Sequence, residues 1–453
     1  MDTPIADFVK KYCDDGTVRF HMPGHKGHGV LGTEQLDITE VKGADALYEA
    51  SGIIEKSESN ATALFGTQKT LYSTEGSSQC IRAMLYLAVL TGKGNSQPVI
   101  LAARNVHKAF LYAGALLDIQ VEWLYGSGSS SICSCIVSPK ELEDRLSHME
   151  HAPAAVYITS PDYLGGMSDV KSLSAVCHRY GTYLLVDNAH GAYTHFLEKS
   201  MHPMDLGADM CCDSAHKTLP VLTGGAYLHI GKCAPRTFAE NAMQAMALFG
   251  STSPSYLILQ SLDLCNAYLA GDYRTKLMDF VSLVDDTKKR IQGAGYNVVQ
   301  SDPLKIVLYG DGRRTAEKLR ASNIECEYSD CDYLVLMVTP ENTAEELEAL
   351  IDALGKNEAV IEPDTGKNSS FGTETGCIPE LKDCRRELSL RRAFFSKHRT
   401  VPVSKAEGMI CAAPLVSCPP AIPIVISGER ITEEAVYLFE KYGITQVDVV
   451  DNF

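Results

Sequence analysis

The chain has 453 residues, enough for two to three domains at about 100–200 residues each, and its 41 Lys and Arg against 57 Asp and Glu give a formal charge of −16. The acids are spread rather than blocked, which argues against nucleic acid or an anionic membrane as the main partner and suits a cationic small molecule. A composition that is 45% hydrophobic and 22% charged excludes disordered and collagen-like classes, and no apolar run nears the ~18 residues of a membrane-spanning helix.

Residues 1–40 carry little periodicity, and Pro23 and Gly24 interrupt the run RFHMPGHKGHGVLG, so an N-terminal arm is expected there. Its first residues lack a basic flank followed by an apolar stretch, so no secretory signal is read and a cytoplasmic setting is expected. From about residue 70, short apolar runs alternate with amphipathic stretches. The pattern predicts strands at about 70–73, 98–103, 119–124, 154–159, 182–187, 207–213 and 223–230. Helices are predicted between them near 77–91, 105–117, 139–150 and 169–180, the third opened by the capping box Ser138-Pro139-Lys140-Glu141. That alternation means an α/β large domain whose mostly parallel sheet is covered by helices. Helical segments at about 235–248, 254–270 and 273–293 lead out of it, so the large domain is drawn at 41–290. A small α/β domain at 291–361 follows, with strands near 304–309, 323–328 and 332–338 and a helix at 344–354 capped by Thr343 and Glu346. The polar stretch 362–379 reads as a linker or surface loop, and 380–453 form a last unit with a helix from Thr432 and the β-like tail VDVVD.

Fifteen cysteines, an odd number without any C-x-x-C pair, read as reduced small hydrophobes rather than zinc or redox sites. Gly27-His28-Gly29-Val30-Leu31-Gly32 spells G-x-G-x-x-G, but no predicted strand precedes it. His21 and His25 are separated by Pro23 and Gly24 and cannot share a helix face, so no metal site is read.

Four places carry chemistry. Lys217 follows the apolar run ADMCC and Asp213-Ser214-Ala215-His216 and precedes the strand TGGAYLHI; a lysine held between two strands can be partly desolvated, as Schiff-base chemistry requires. Asp187 ends the run TYLLVD, at the carboxyl end of a parallel strand where α/β sheets build sites, and a buried acid there needs a cation such as a protonated pyridine nitrogen. Glu75-Gly76-Ser77-Ser78-Gln79 joins a strand to a helix, so a glycine, two hydroxyls and free helix N–H groups form an anion cradle. His107 stands at another strand exit and could stack on a flat ring. Taken singly, each also fits an ordinary role: a solvated surface lysine, a capping or paired aspartate, a common N-cap. In chain order, however, they spell phosphate cradle, ring stacker, ring-nitrogen acid and imine lysine.

The wording of these stretches resembles the fold-type-I (aspartate aminotransferase-like) pyridoxal-phosphate enzymes, and within them the Orn/Lys/Arg decarboxylase family of the smaller bacterial kind. RFHMPGHKG at 19–27, DITEVKGADALYEASGIIEKSE at 37–58, EGSSQCIRAM at 75–84, RNVHKAF at 104–110 and DNAHGAY at 187–193 carry the likeness. So do DSAHKTLPVLTGGAYLHI at 213–230, STSPSYLILQSLD at 251–263 and CPPAIPIVISGERI at 418–431. The resemblance implies pyridoxal 5'-phosphate as cofactor, with Lys217 as its imine lysine, Asp187 on the pyridine nitrogen and His107 on the ring. Gly76, Ser77 and Ser78 would hold the phosphate, Ser214, His216 and His190 would assist, and Thr252 or Ser253 would complete the site across a homodimer or a multiple of one. It implies decarboxylation of a basic amino acid (arginine, lysine or ornithine) to the amine and carbon dioxide, through an external aldimine and a quinonoid, with Lys217 or a nearby histidine returning the proton to Cα. The last unit, 380–453, would be a decarboxylase-type C-terminal domain.

The chain departs from the family pattern at Asn188, where glutamate is usual, at Glu75 for asparagine, at Tyr193, and at Cys418 and Ala421 within the Y-P-P-G-I-P stretch. The same cofactor site could serve an aminotransferase, an aldolase or a cysteine lyase, or a non-catalytic cofactor-binding homologue. The arm and the P-P-A-I-P stretch favour the decarboxylase over the first three.

Overall fold

The computed structural model describes residues 1–91, 97–126, 131–355, 384–414 and 420–451. Its strands in chain order are β1 (Lys69–Ser73), β2 (Val99–Ala103), β3 (Gln120–Leu124), β4 (Ala155–Thr159), β5 (Leu184–Asp187), β6 (Met210–Asp213) and β7 (Ala226–Ile230). They continue with β8 (Asn297–Val299), β9 (Lys305–Tyr309), β10 (Tyr328–Ser329), β11 (Tyr333–Met337), β12 (His398–Pro402) and β13 (Gln446–Val450). The chain gathers into two compact units, Met1–Lys93 with Val170–Leu277 and Gly94–Asp169 with Met278–Phe453.

In the first unit the strand order is β1-β7-β6-β5. β5 and β6 are parallel, with Asp187 beside Cys212, and β7 is antiparallel to both β6 and β1. β1, β5 and β6 therefore run the same way, and their carboxyl ends meet at the end where β7 begins with Ala226 beside Ser73. β5, β6 and β7 are buried at every residue, as strands with apolar side chains toward both faces must be. The helix Ser77–Leu90 packs on β6 and β7, and Phe65, Tyr72 and Tyr227 form an aromatic core whose Phe65–Tyr227 centroids lie 5.4 Å apart.

The arm is not wholly irregular, because Pro4–Asp14 is a helix with Pro4 in its first turn and Ile5 and Val9 buried. Its free N–H groups are satisfied from far away: Asp263 Oδ2 accepts from Ile5 at 2.9 Å and from Ala6 at 3.0 Å.

In the second unit β2 lies between β3 and β4, all parallel. An antiparallel sheet follows in the order β10-β11-β9-β8, and β12 pairs with β13. The capping box at Thr343 and Glu346 is complete, whereas at Ser138 only the serine half forms: its hydroxyl accepts Glu141 N–H at 3.1 Å, while the Glu141 carboxylate accepts Gly126 N–H at 3.1 Å instead. The strand expected at 323–328 shrinks to β10, because Asn323 takes a left-handed φ of 58° and Ile324 N–H bonds back to Leu319, spending these residues on ending the helix Gly312–Arg320. The polar stretch 362–379 lies outside the described residues, as does Cys418. Among the described residues no helix is long and apolar enough to cross a membrane.

Candidate active site

The site in the first unit is built where β1, β5 and β6 end. Leaving β1, the chain turns at Gly76, whose φ of 72° suits a residue without Cβ, and enters the helix Ser77–Leu90. No side chain caps that helix, so its first N–H groups, with the Ser77 and Ser78 hydroxyls, present donors to an anion. Gly76 N–H bonds Gly224 O at 2.7 Å, and Gly224, at φ 100°, comes so close to β1 that a Cβ there would lie 2.8 Å from Thr74 O. The glycine pair before β7 thus allows the two loops to touch.

Ser214 follows β6 and donates to Ser77 Oγ at 2.7 Å, which brings both hydroxyls to the cradle. Behind it the short helix Ala215–Thr218 presents half-buried Lys217, whose Nζ is 3.0 Å from His190 Nε2. His216 donates from Nδ1 to Gly225 O at 2.9 Å; burial, helped by the Lys217 charge, lowers its pKa against the opposing effect of that bond. Its ring stands beside Gly76, with Cε1 4.0 Å from where a Cβ would be.

Asp187 is buried at the end of β5. Its Oδ1 accepts from Ala189 N–H at 3.2 Å and from the Cys212 thiol at 3.7 Å; burial raises that thiol well above its usual range, so it stays protonated and able to donate. The donor set comprises an anion cradle at a helix start, an amine and a buried carboxylate, all at one end of the strands. That is the set a phosphorylated pyridine aldehyde needs, and the residues present fit pyridoxal phosphate.

Residues 3–307 match the Orn/Lys/Arg decarboxylase major domain, and residues 387–442 match the C-terminal domain of the same family. The chain belongs to the Orn/Lys/Arg decarboxylase family. It is an amino-acid decarboxylase by family. An arginine decarboxylase of Bacillus subtilis is 29% identical over 97% of this chain and 93% of its own length. Among solved structures, a Francisella novicida lysine decarboxylase aligns at a TM-score of 0.80 with 18% identity, covering 99% of this chain and 81% of that one. A Sphingomonas wittichii serine palmitoyltransferase aligns at 0.54 with 15% identity, covering 78% and 83%. The α/β fold is therefore the one shared by lysine decarboxylases and fold-type-I pyridoxal-phosphate enzymes.

The remaining expected residues of this family member fall as follows. His107 is in the second unit, capping the helix Lys108–Leu116 by accepting Ala109 N–H on Nδ1 at 3.2 Å. Its loop is tied to the C-terminal segment: Lys108 N–H bonds Ala421 O at 3.1 Å. Arg104 donates to Ile424 O at 2.8 Å and to buried Glu429 at 3.1 Å while lying over Trp123. Thr252 and Ser253 are exposed in the first unit, beside the cradle, because Ser251 N–H bonds the carboxylate of Glu75. Glu75 thus directs its charge to that segment. Tyr193 is fully buried, and Asn188 donates to Asp213 Oδ1 at 2.6 Å.

Asp213 escaped the sequence reading, although MCCD shows the same apolar run into an acid that singled out Asp187. It is fully buried, and its Oδ2 accepts from His202 at 3.0 Å and His229 at 3.2 Å. Burial raises its pKa, but the two imidazoles outweigh burial and hold the carboxyl below the usual range.

Proposed function

We propose that the chain is a pyridoxal-phosphate-dependent decarboxylase of a basic amino acid, arginine, lysine or ornithine. The observation that carries this is the approach of Lys217 Nζ to His190 Nε2, 3.0 Å, on the loop that leaves buried Asp187. Bound there, pyridoxal phosphate supplies the carbonyl and the conjugated pyridinium that take up the electrons of the departing carboxylate. Asp187 keeps the ring nitrogen protonated through a charge-assisted hydrogen bond of about 1.5–3 kcal/mol. Ser77, Ser78 and Ser214, with the helix N–H groups, would hold the phosphate, and the family resemblance assigns the ring to His107. Lys217 supplies the amine that joins the aldehyde, and the Lys217–His190 pair can move a proton to Cα. The relative named arginine decarboxylase makes arginine the first substrate to try.

The same reading makes the chain a homodimer or a multiple of one, with Thr252 or Ser253 completing the neighbouring site. Their exposure, beside buried Pro254, supports that role. It also keeps the arm at 1–40, the cofactor domain at 41–290, the small domain at 291–361 and the decarboxylase-type domain at 380–453; the family match over 387–442 falls within the last of these, whereas the match over 3–307 runs through the arm and the cofactor domain into the small one.

The test is a panel of arginine, lysine and ornithine with carbon dioxide and amine both measured. One substrate is expected to release both in equal amounts. Lys217→Ala should abolish the visible absorption band of the bound cofactor and reduce turnover by several orders of magnitude; an unchanged band overturns the site. Cofactor binding with no product from any of the three would identify a non-catalytic homologue.

A further inference from the structure

We propose that Asp213, acting through Asn188, is a positioning residue that clips together the two loops holding the cofactor. This rests on the functional reading above. Asp213 ends β6, one residue before Ser214 and four before Lys217, while Asn188 stands between Asp187 and His190. Asn188 joins the two exits twice, by its N–H to Cys212 O at 3.0 Å and by its Nδ2 to Asp213 Oδ1 at 2.6 Å. A carboxylate only accepts, so the Asn188 amide must present its nitrogen.

The other oxygen of Asp213 is held equally firmly. His202 accepts Met204 N–H on Nδ1 at 3.3 Å, which leaves its hydrogen on Nε2, pointing at Asp213 Oδ2. His229 also faces that oxygen, and its Nδ1 meets the Thr70 hydroxyl at 2.8 Å. Burial lowers the pKa of His229 against the pull of Asp213, which favours a neutral ring donating from Nε2. An unpaired carboxylate is very costly to bury, and here three donors offset that cost: Asn188 just after β5, His202 before β6 and His229 in β7. Asp213 is thereby immobilised, and Asn188 with it. Since Asp187 and His190 flank Asn188 and His190 meets Lys217, any displacement of this clip moves the carboxylate for the ring nitrogen and the lysine relative to each other. The clip also explains the amide at position 188, because an acid there would face a second carboxylate inside the protein.

The experiment measures the dissociation constant of pyridoxal phosphate and the visible circular dichroism of the bound cofactor. It compares the full chain with Asn188→Asp, Asp213→Asn and the double variant. Asn188→Asp is expected to weaken binding by about tenfold or more, because it opposes two buried carboxylates and leaves donors misplaced. The double variant is expected to regain most of the affinity and the native dichroism. It again sets one amide against one carboxylate, with the amide oxygen toward the two imidazoles. Asp330→Asn, which weakens a buried carboxylate that accepts the N–H groups of Asp332 and Tyr333 in the second unit, should lower the melting temperature but leave both cofactor readouts unchanged. Native affinity and dichroism in Asn188→Asp, or a double variant no better than the single, overturn the inference. Should Asn188→Asp fail to fold, Asn188→Ala takes its place: a several-fold loss of affinity with altered dichroism supports the clip, and native values overturn it. If the unsubstituted chain binds no pyridoxal phosphate, the functional reading itself falls and the inference with it.

Discussion

Ala421 has φ 59°, in the left-handed region, and is buried next to the backbone of the His107 loop through its bond to Lys108 N–H. A Cβ in this conformation costs roughly 1–2 kcal/mol, and the sequence pattern that the segment resembles has glycine here. Ala421→Gly removes the strain but adds freedom to the unfolded chain, so a net gain of about 0.5–1 kcal/mol is expected. Thermal unfolding measures it, and a lower melting temperature would mean that the methyl group contributes more by packing than it costs by strain. The segment stays in place without glycine because its other ties are strong. Arg104 binds two carbonyls and the carboxylate of Glu429, which also accepts Ile426 N–H at 2.8 Å. None of this could be read from residues 418–431 alone, because Arg104 lies more than three hundred residues earlier.

Among the elements, the helix Ile53–Phe65 and the edge strand β1 share an unusual contact. Glu58 is buried and accepts Tyr72 N–H at 2.9 Å, satisfying a donor of a strand with a neighbour on only one side. Burial pushes its pKa up from 4.5 to about 8, with the Tyr72 bond opposing the rise. A carboxyl whose folded pKa exceeds its unfolded value contributes full stability below the unfolded value and loses it as pH rises toward the folded one. The window is therefore 4.5 to about 8. Glu58→Gln should leave the melting temperature near that of the unsubstituted chain at the acid end and exceed it increasingly toward the alkaline end, a rise that corresponds to a few kcal/mol of stability at most. A gap that does not change with pH would show that Glu58 titrates normally. Elements of this kind were readable where burial and capping are local: LLVD, AYLHI and the Thr343–Glu346 box each declare themselves within a few residues. The helix Pro4–Asp14 did not, since its cap is Asp263, and neither did the His202–Asp213–His229 cluster, which exists only because β6 and β7 pair.

For the whole molecule, the question is what finishes the site. Val18, Phe20, Met22, Val30 and Leu31 in the arm are exposed, Phe20 at 94% and Val30 at 100%. The arm is nevertheless ordered by polar bonds. Glu34 accepts the N–H groups of Leu31 and Gly32, each at 2.7 Å, Arg19 binds Gln35 O at 2.7 Å, and Lys26 binds His21 O at 2.6 Å. Polar groups fold the arm and leave these apolar side chains exposed to solvent, so they are available to a partner. On the dimer reading proposed above, a second copy of the chain would cover this face and give Thr252 and Ser253 a neighbouring cradle to complete. Burying a Phe or Leu side chain contributes about 1.5–3 kcal/mol, and a twofold dimer uses each residue twice. Phe20→Asp combined with Leu31→Asp should therefore shift the chain toward monomer in sedimentation velocity at micromolar concentration. Cofactor affinity should fall with dimer content and recover as protein concentration is raised. A double variant that sediments as the unsubstituted chain does would assign the apolar arm to another partner and leave the neighbouring cradle to be completed by other surfaces.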